Sequence, residues 1–339
     1  MRVLVTGGLG FIGSNFILHM LETYSDVSIT NLDLITYAGN LENLKDTDRY
    51  GDRYQFVKGD IADRNLVDDV VSRKPDVIVN FAAESHVDRS ILDASQFLRT
   101  NVIGTQALLD CCRKYKIDRY VQISTDEVYG SLGPSDAPFT ETNDLKPNSP
   151  YSASKASADL LVRAYYKTYG MDAVITRCSN NYGPLQFPEK LIPLMITNAV
   201  QDLELPVYGD GMNVRDWIHV TDHCRSIDTV MRKGKTGQIY NVGGSCEHHN
   251  IDIVRLILTK LGKPDSLIKY VSDRPGHDRR YAMNAKKLSN ELGWTPLISF
   301  EQGIEQTIKW YVENEPWWRR IKTGEYLTYY EKWYGSLQK

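Results

Sequence analysis

Two pairs of side chains in this sequence are spaced for proton transfer. Tyr151 and Lys155 are four residues apart in a segment with helical periodicity, so their side chains share one helix face about one turn apart. A lysine ammonium lowers the pKa of a nearby phenol from its usual value of about 10, which would make Tyr151 a proton acceptor near neutral pH. This spacing also occurs by chance, so its meaning depends on the surrounding motifs.

The second pair consists of the neighbouring carboxylates Asp126 and Glu127, which follow Thr125 in the run Ser124–Gly130. Within a strand, adjacent side chains would point to opposite faces, but just beyond a strand end both can reach one substrate. Two carboxylates held close together raise the pKa of at least one of them, so one can act as an acid and the other as a base. The alternative is a helix cap with a solvated neighbour.

A glycine-rich turn stands near the start of the chain. Gly8, Gly10 and Gly13 match the pattern G-x-G-x-x-G, with Gly7 directly before them, between a β-branched run and a helical pattern. Glycines let the backbone approach a pyrophosphate, and a helix N-terminus adds free N–H groups and a favourable dipole. The motif predicts dinucleotide binding; the alternative is a tight turn without a ligand.

Asp33 lies 20 residues beyond the last of these glycines, at the end of the second predicted strand. A carboxylate there would accept a hydrogen bond from a ribose 2′-hydroxyl. No cation follows before Lys45, and a 2′-phosphate would meet a negative charge, so the sequence predicts NAD rather than NADP. Asp60 and Ile61 are expected to reach the adenine, although Asp60 could instead be a cap ahead of Asp63.

The elements that must position these groups alternate short β-branched runs with longer helical patterns over the first 180 residues. The predicted strands are Arg2–Thr6, Ser28–Leu32, Tyr54–Val57, Val77–Phe81, Tyr120–Ser124 and Ala173–Arg177. One long helix is predicted within about Ala94–Tyr115, and another from Ser149 as N-cap, with Pro150 first in the helix, to Gly170. This is the pattern of a doubly wound, Rossmann-type α/β fold with a parallel sheet.

The rhythm changes after Cys178, where prolines interrupt shorter elements. The run Gln238–Val242 again has the pattern of a buried strand, so the chain is expected to return to the first sheet over about residues 214–243. We therefore expect an NAD-binding domain over 1–178 with this return segment, and a smaller α/β, mainly substrate-binding domain over 179–339.

The composition is that of an ordinary globular protein. With 339 residues, 42% hydrophobic, 24% charged and a net charge of −3, it excludes collagen, coiled coil and wholesale disorder. No basic stripe indicates nucleic acid, no apolar run approaches the ~20 residues of a membrane span, and no signal-peptide pattern is present. Five cysteines without a CxxC pair favour reduced, cytoplasmic thiols, and no metal is expected even at His248-His249.

Eight motifs together resemble the dTDP-glucose 4,6-dehydratase family, which belongs to the extended short-chain dehydrogenases/reductases that modify nucleotide sugars. They cover nearly the whole chain: Thr6–Ser14, Asp33 with Thr36–Asn40, Ala82–Ser90, Ser124–Gly130, Tyr151–Lys155, Arg177–Pro184, Gln186–Leu191 and Arg274–Asp278.

The resemblance implies a hydro-lyase reaction in which NAD is recycled. Tyr151 would take the C4 hydroxyl proton of dTDP-glucose while the C4 hydride passes to NAD⁺. Glu127 would then remove the C5 proton as Asp126 protonates the departing C6 hydroxyl, and the hydride would return to C6. The products are dTDP-4-keto-6-deoxyglucose and water. The catalytic set so implied is Thr125, Asp126, Glu127, Tyr151 and Lys155.

The resemblance also implies the ligand contacts. Those to the cofactor are Gly7, Gly10, Phe11, Ile12, Gly13, Asp33, Thr36, Asp60, Ile61, Ala82, Ala83, His86, Thr100, Tyr151, Lys155 and Asn181. Those to the substrate are Ser85, Thr125, Asn180, Lys190, Leu191, Pro206, Tyr208, Arg215, Asn250, Arg274, His277 and Tyr334. Cations suit a diphosphate and an aromatic ring suits a pyrimidine, while the alternative for any one cation is a solvated surface charge.

Three positions depart from the family pattern: Leu34 replaces a usual lysine, Gln106 replaces a usual tyrosine, and Cys246–His249 varies the approach to Asn250. Family members usually pair through two long helices into a four-helix bundle, so a homodimer is expected. The candidate leucines for that face are Leu108, Leu109, Leu160 and Leu161, unless they pack on their own sheet.

Three alternatives stay open. A nucleotide-sugar 4-epimerase or decarboxylase would share the glycine turn and the Tyr-Lys pair, but neither needs the Asp126-Glu127 couple. A dehydratase for a CDP- or UDP-linked sugar differs only in the base, which the sequence does not fix. A non-catalytic sensor of NAD or of a nucleotide sugar would keep the fold as a binding module.

Overall fold

The computed structural model describes residues 1–323, 326, 328–330 and 333–334. Its strands are β1 (Arg2–Thr6), β2 (Ser28–Asp33), β3 (Tyr54–Lys58), β4 (Val77–Asn80), β5 (Arg119–Thr125), β6 (Ala173–Cys178), β7 (Asn180–Tyr182), β8 (Leu205–Tyr208), β9 (Val214–His219), β10 (Ile239–Val242), β11 (Glu247–His249) and β12 (Ile268–Val271).

The α-helices are α1 (Phe11–Thr23), α2 (Arg64–Ser72), α3 (Val87–Leu92), α4 (Ser95–Phe97), α5 (Thr105–Tyr115), α6 (Pro150–Tyr169), α7 (Leu191–Val200), α8 (Val220–Lys233), α9 (Asn250–Leu261), α10 (Lys286–Leu292), α11 (Phe300–Glu313) and α12 (Glu315–Ile321). Shorter 3₁₀ segments cover Leu41–Arg53, Asp126–Tyr129 and Asp265–Leu267, and a π-helical segment covers Leu98–Gly104.

A parallel sheet of seven strands organises the described part of the chain, in the order β10-β6-β5-β4-β1-β2-β3. The strand order reverses between β1 and β4, and in such sheets ligands bind in the crevice at the carboxyl ends of the strands at this point. Every residue of β4 and β6 is buried, as expected for strands covered on both faces by helices. The predicted doubly wound fold is confirmed, and its strand ends lie within one residue of those predicted.

The two long predicted helices have different outcomes. The second, α6, is confirmed in detail: Ser149 and Ser152 form a reciprocal capping box, Pro150 opens the helix, and Gly170 ends it at φ +67°. The first was expected as one α-helix over 94–115 but consists of α4, the π-helical segment and α5 in succession. The π turn inserts an extra residue into the hydrogen-bond ladder, which hydrophobic periodicity does not reveal.

The second half of the chain builds a separate apolar core around two small sheets, β11-β9-β7 and β12-β8. Helices α7, α9 and α11 pack around that core, whose largest fully buried side chain is Trp318. The chain then returns to the main sheet, because α8 packs against α1 and β10 pairs with β6. The strand predicted at Gln238–Val242 is therefore confirmed as β10, whereas β9 belongs to a small sheet.

The residues that the structure describes contain neither a membrane-spanning helix nor a metal-binding cluster. No helix among them is both long and apolar enough to cross a bilayer. They also contain no group of three or more His, Cys, Asp or Glu side chains arranged to hold a metal ion. Of the two adjacent histidines, His248 places Nε2 3.2 Å from Cys246 Sγ, and His249 places Nδ1 3.0 Å from the Met212 carbonyl oxygen.

Candidate active site

One cleft lies at the carboxyl ends of the central strands, where the strand order reverses. The predicted site residues that line it are Gly7, Gly10, Phe11, Ile12, Gly13, Asp33, Thr36, Asp60, Ile61, Ala82, Ala83, Ser85, Thr100, Thr125, Asp126, Glu127, Tyr151, Lys155, Asn180, Asn181 and Lys190. The structure thus brings together the glycine turn, both proton-transfer pairs and part of the expected substrate set, although these residues span the first 190 positions.

The glycine turn is shaped to admit a ligand. Gly7 has φ +71°, and a Cβ there would lie 2.5 Å from the Ala82 nitrogen; a Cβ on Gly13 would collide with the Gly7 carbonyl oxygen. Gly10 is different, because a Cβ there would approach only the Gly7 carbonyl oxygen, at 3.4 Å, on the open side of the turn. Gly10 is also the N-cap of α1 and makes no side-chain cap bond, so free N–H groups and the helix dipole face the cleft. The turn fits a dinucleotide pyrophosphate.

Asp33 is tied to the same turn. Its Oδ2 accepts a hydrogen bond from the Leu9 nitrogen at 2.9 Å, and its Oδ1 accepts one from the Ile35 nitrogen at 2.7 Å. Burial raises the pKa of this carboxyl, while the two backbone donors oppose that shift. A carboxylate retains lone pairs for a ribose hydroxyl. Leu34 is 42% exposed and lines the cleft beside it, so the position where the family usually has lysine offers no cation.

The expected adenine contacts have partners that sequence reasoning missed. Asp60 Oδ2 lies 2.8 Å from Arg99 Nη2, and its Oδ1 accepts from the Ala62 nitrogen at 2.8 Å. Asp63, and not Asp60, caps the N-terminus of α2, and Asp60 lines the cleft. Arg99 lies in the π-helical segment next to Thr100. Its position beside a predicted cofactor residue is the sequence signal that could have identified it.

Tyr151 and Lys155 project from α6 into the base of the cleft. Lys155 Nζ donates to the Ile123 carbonyl oxygen at 2.7 Å, and the Thr125 side chain lies close enough to the Tyr151 phenol to oppose the rise in its pKa. Burial lowers the pKa of Lys155 and raises that of Tyr151 well above its usual value, with Glu127 raising the latter further. In the protein without ligands, burial and the charge of Glu127 raise the Tyr151 pKa, so the lowering expected from Lys155 stays a prediction for the ligand-bound site.

Asp126 and Glu127 stand in the 3₁₀ segment directly after β5, as expected for convergent carboxylates. Thr125 Oγ1 donates to Asp126 Oδ1 at 3.1 Å and accepts from the Glu127 nitrogen at 3.3 Å. Burial, and then the charge of Glu127, raise the pKa of Asp126 well above its usual value. Burial also raises the pKa of Glu127, but nearby cations, Arg274 foremost, oppose that shift. The pair therefore separates into an Asp126 that holds its proton more strongly and a Glu127 that is more readily ionised.

Asp126 Oδ2 is buried and has no hydrogen-bond partner among the described residues. Ser124 Oγ and Ser179 Oγ are in the same situation, and all three residues line the cleft. Buried polar atoms of this kind are rare in folded proteins unless a ligand or water satisfies them. They indicate a polar ligand between the ends of β5 and β6.

The expected diphosphate cations lie at the far end of the cleft and beyond it. Lys190 Nζ donates to the Ser85 carbonyl oxygen at 2.8 Å, and Arg215 Nη2 donates to the Asp278 carbonyl oxygen at 2.9 Å. Arg274 Nη1 lies 3.1 Å from Asp88 Oδ1. None of the three is a freely solvated surface charge, because each bonds to an atom of a distant segment.

Tyr208 occupies the centre of an aromatic group next to these cations. Its ring stacks on Tyr334 with centroids 5.9 Å apart and meets the His277 ring edge-on at 5.8 Å. Its hydroxyl accepts a hydrogen bond from Trp333 Nε1 at 2.7 Å and donates to Asp88 Oδ2 at 2.9 Å. One face of the Tyr208 ring is thus covered by another side chain of the protein.

The remaining predicted residues lie around that group rather than in the cleft lining. Leu191 begins α7, Pro206 lies in β8 beside the buried Val207, and Asn250 begins α9 with its Oδ1 buried and without a partner among the described residues. His86 packs its ring edge-on against Tyr329 at 5.7 Å. Its Nε2 is 3.9 Å from Glu189 Oε1, so it sits behind a cleft residue that sequence reasoning missed.

A further missed residue orients a predicted one. His223 is fully buried, and its Nδ1 lies 2.8 Å from Asn181 Oδ1, while Asn181 Nδ2 donates to the Ser179 carbonyl oxygen at 3.0 Å. Burial lowers the pKa of His223 to about 3, so the ring is neutral. The Asn181 amide is therefore an acceptor toward His223, which must carry its proton on Nδ1.

Two of the expected dimer-face leucines do not face solvent. Leu108 and Leu109 are completely buried on the side of α5 that packs on the sheet, so for these two the alternative, packing on their own sheet, is confirmed. Leu161 is partly buried against the same core, whereas Leu160 is 55% exposed. The helical period places adjacent leucines about 100° apart, which is why only one of the α6 pair reaches the surface.

Comparison with known proteins agrees with this geometry. The family model described as GDP-mannose 4,6 dehydratase matches residues 4–307. A dTDP-glucose 4,6-dehydratase of Xanthomonas campestris pv. campestris is 52% identical over 342 aligned residues, which cover 95% of this chain and 96% of that protein.

Solved structures give the same result. The crystal structure of dTDP-glucose 4,6-dehydratase from Bacillus anthracis in complex with NAD is 54% identical, with a TM-score of 0.89, and the match covers 95% of this chain and 100% of that one. The Streptomyces venezuelae dTDP-glucose 4,6-dehydratase with NAD and a second ligand bound is 50% identical, with a TM-score of 0.92 and the same coverage. The chain belongs to the dTDP-glucose 4,6-dehydratase family.

Proposed function

We propose that this protein is an NAD-dependent hydro-lyase that converts dTDP-glucose to dTDP-4-keto-6-deoxyglucose and water. The observation that carries the proposal is the meeting, in one cleft, of the Tyr151-Lys155 pair with the Asp126-Glu127 pair. The first pair serves oxidation at C4, and the second serves elimination across C5 and C6. The relatives with NAD bound, at 50% identity or more, support the choice of cofactor.

The residues that would hold NAD are those at the first end of the cleft. Gly10 and the N-terminus of α1 fit the pyrophosphate, and Asp33 accepts from the ribose. Asp60, Ile61 and the other predicted cofactor residues in the lining complete this end. When bound, NAD⁺ supplies the hydride acceptor at C4 and returns the hydride at C6.

Tyr151 acts as the base at the C4 hydroxyl. The protein alone raises its pKa, so the phenolate must be favoured by positive charge close to it when both ligands are present. Lys155, held one turn away by the Ile123 carbonyl oxygen, would supply that charge when the cofactor is bound. Thr125 lies beside the phenol and at the start of the carboxylate pair, so its hydroxyl is placed to orient the substrate between them.

Glu127 and Asp126 perform the elimination as base and acid. A 4-keto group makes the C5 proton acidic, and Glu127, kept more readily ionised by three nearby cations, removes it. Asp126 holds its proton because it is buried beside another carboxyl, and it donates that proton to the C6 hydroxyl as water leaves. A 4-epimerase needs neither step.

The fate of an isotopic label tests this reaction. Substrate deuterated at C4 and converted in ordinary water is expected to give product with deuterium in the C6 methyl group, and conversion in heavy water is expected to place deuterium at C5. Mass spectrometry and NMR of the product read both positions. Label returned to C4 with C6 still hydroxylated would establish an epimerase, and unchanged substrate would leave only a binding module. Supplying dTDP-, UDP- and CDP-glucose in parallel identifies the base.

The chain is also proposed to form a homodimer through α6 and the helical segment 95–115. The surface they present includes the exposed Ile103 and Leu160. Placing a charge there, in Leu160→Glu, is expected to release monomers in size-exclusion chromatography with light scattering, because an apolar contact would have to bury a carboxylate. Leu297→Glu, at an exposed leucine outside this surface, is the control; a wild-type monomer would refute the dimer.

We also propose a domain division and a cellular location for this protein. The division into an NAD-binding domain, 1–178 with the return segment 214–243, and a domain over 179–339 is supported by the separate apolar cores on the two sides of the cleft. A reducing, cytoplasmic location is supported by the cysteines, which are all free, four of them buried. A separate substrate-binding domain and a cytoplasmic location both agree with an enzyme that acts on a nucleotide sugar.

A further inference from the structure

Asp88 is a buried carboxylate that the proposed chemistry does not use. It lies in α3, at the carboxyl end of β4, and is 3% exposed. Its two oxygens have different partners: Oδ1 accepts from Arg274 Nη1 at 3.1 Å, and Oδ2 accepts from the Tyr208 hydroxyl at 2.9 Å. One carboxylate of the first half of the chain therefore holds two side chains of the second half.

Both partners are expected to bind the nucleotide diphosphate, and both need to be held. Arg274 comes from a loop after β12, and its side chain is only 17% exposed. Its Nε is buried and has no hydrogen-bond partner among the described residues, which leaves a charged donor available for an anion. Without Asp88, a long arginine side chain and a tyrosine at a strand end would have to be ordered by the substrate itself, at a cost in binding free energy.

We propose that Asp88 is a positioning residue that sets Arg274 and Tyr208 for the nucleotide diphosphate of the substrate. This inference rests on the proposed function of the site. Asp88 does not touch the reacting atoms at C4, C5 or C6, and its effect passes through its two hydrogen-bond donors.

The proposal predicts a change in substrate affinity in Asp88→Asn that is opposite in direction to the change expected from simple electrostatics. A carboxylate repels a diphosphate, so if Asp88 only neutralised Arg274, its replacement by asparagine would strengthen substrate binding. If Asp88 positions Arg274 and Tyr208, the same replacement weakens binding, because asparagine offers one acceptor oxygen to two donors and carries no charge. The direction of the change in KM separates the two roles.

The test uses the NAD-loaded, full-length enzyme and dTDP-glucose. Asp88→Asn is expected to raise KM roughly tenfold to hundredfold while kcat changes by less than about threefold, as for loss of a charge-assisted hydrogen bond in binding. The NAD content is expected to be unchanged, and Asp88→Glu is expected to recover part of the loss. The control is Asp93→Asn, an exposed aspartate near the end of the same helix whose carboxylate accepts from the Ser95 nitrogen, with kinetics expected to equal wild type.

A double-mutant cycle shows whether the effect passes through Arg274. In an Arg274→Gln background, Asp88→Asn is expected to change KM by less than about threefold, because the positioned charge is already gone. Tyr208→Phe removes a single hydroxyl and keeps the proposal testable if Asp88→Asn does not fold; its effect on KM is expected to shrink likewise in an Asp88→Glu background.

The following results would overturn the proposal: a lower KM in Asp88→Asn, a fall in kcat at unchanged KM, loss of NAD, or full additivity with Arg274→Gln. A wild-type enzyme that fails to convert dTDP-glucose would refute the proposed function instead. In that case, binding of dTDP by calorimetry replaces KM, and equal affinity in wild type and Asp88→Asn would overturn the role of Asp88.

Discussion

The two ends of the cleft are built by different means. At the cofactor end, backbone groups form most of the site. They comprise the glycine turn, the N-terminus of α1 and the two N–H groups that fix the Asp33 carboxylate. At the substrate end, side chains from distant segments hold one another, as Arg274, Tyr208 and Asp88 show. The first kind of site tolerates side-chain change and depends on backbone shape. The second depends on the identity of each charged partner.

This difference also separates what binds from what reacts. The two proton-transfer pairs lie between the ends, in the 3₁₀ segment after β5 and on α6, where a sugar held by the substrate end would meet a nicotinamide held by the cofactor end. Substitutions at this junction should abolish steps of the reaction, and substitutions at either end should change affinity or preference. The following predictions test that division in order of decreasing effect.

At the junction, Tyr151→Phe is expected to reduce turnover by roughly a thousandfold or more, because no base remains for the C4 hydroxyl. No NADH absorbance should form when enzyme and substrate are mixed in a stopped-flow instrument. The matched control on the same helix is Tyr165→Phe, which loses a hydroxyl bonded to Asp110 outside the cleft. NADH formation in Tyr151→Phe at the wild-type rate would show that another group is the base.

Glu127→Gln is expected to separate oxidation from elimination. Because Tyr151 is intact, hydride still leaves C4, but the C5 proton is removed roughly a hundredfold more slowly, so bound NADH should accumulate during a single turnover. Glu305→Gln, at an exposed glutamate paired with Lys260, is the control. A Glu127→Gln enzyme that binds substrate yet forms neither NADH nor product would contradict the assigned role.

At the cofactor end, the double variant Asp33→Ser with Leu34→Arg is expected to shift the preference between NAD and NADP by up to roughly a hundredfold toward NADP. The change removes a repelling carboxylate and places a guanidinium on an exposed position of the lining. Dissociation constants of both cofactors give the ratio. Leu34→Arg alone, which keeps the carboxylate, should give a smaller shift, and an unchanged ratio in the double variant would mean that the ribose contact is misassigned.

The substrate end buries carboxylates, and this should make its stability depend on pH. Asp216 on β9 is fully buried, and burial raises its pKa to about 6 from an ordinary value of 3.8. Between these values the folded chain keeps a proton that the unfolded chain loses, so this group's contribution to stability falls as pH rises from about 4 to 6. Its Oδ1 accepts from the Cys246 nitrogen, a bond that asparagine retains.

Asp216→Asn is therefore expected to lose this pH dependence. Relative to wild type, the free energy of unfolding of the variant should increase by about 2 kcal/mol between pH 4 and pH 7, as a shift of roughly two pKa units implies. Denaturant unfolding at several pH values measures the difference. Parallel curves for the two proteins would show that Asp216 titrates in the folded state as an ordinary aspartate.

The ends of the cleft also differ in how well the sequence predicted them. The glycine turn and Asp33 were found because their signals are local, a strand end followed by residues of fixed type. Asp88 was not found, because its partner Arg274 is 186 positions away and nothing near either residue indicates the pairing. Glu189 and Trp333 were missed for the same reason. A short motif indicates the local backbone conformation, but it does not indicate which distant residue contacts it in the folded chain.

Two features of the site could not be decided from periodicity. The burial of Leu108 and Leu109 depends on which face of α5 meets the sheet, and the π-helical segment before α5 changes that phase. The pKa of Tyr151 depends on how much water the fold excludes, and burial together with the charge of Glu127 raises it in the protein without ligands. Strand ends, in contrast, were predicted within one residue because β-branched runs stop where the sheet stops.

The pairing of β10 with β6 has a consequence for how the chain folds during synthesis. Translation delivers β1 to β6 in order, but the next strand of the sheet emerges only after residues 179–238, which build most of the substrate end. Until then β6, whose residues are all buried in the finished protein, is an unpaired apolar edge. Such edges invite pairing with other chains. A nascent or truncated chain that stops at Cys178 is therefore expected to aggregate or to need a chaperone, even though it carries the complete glycine turn.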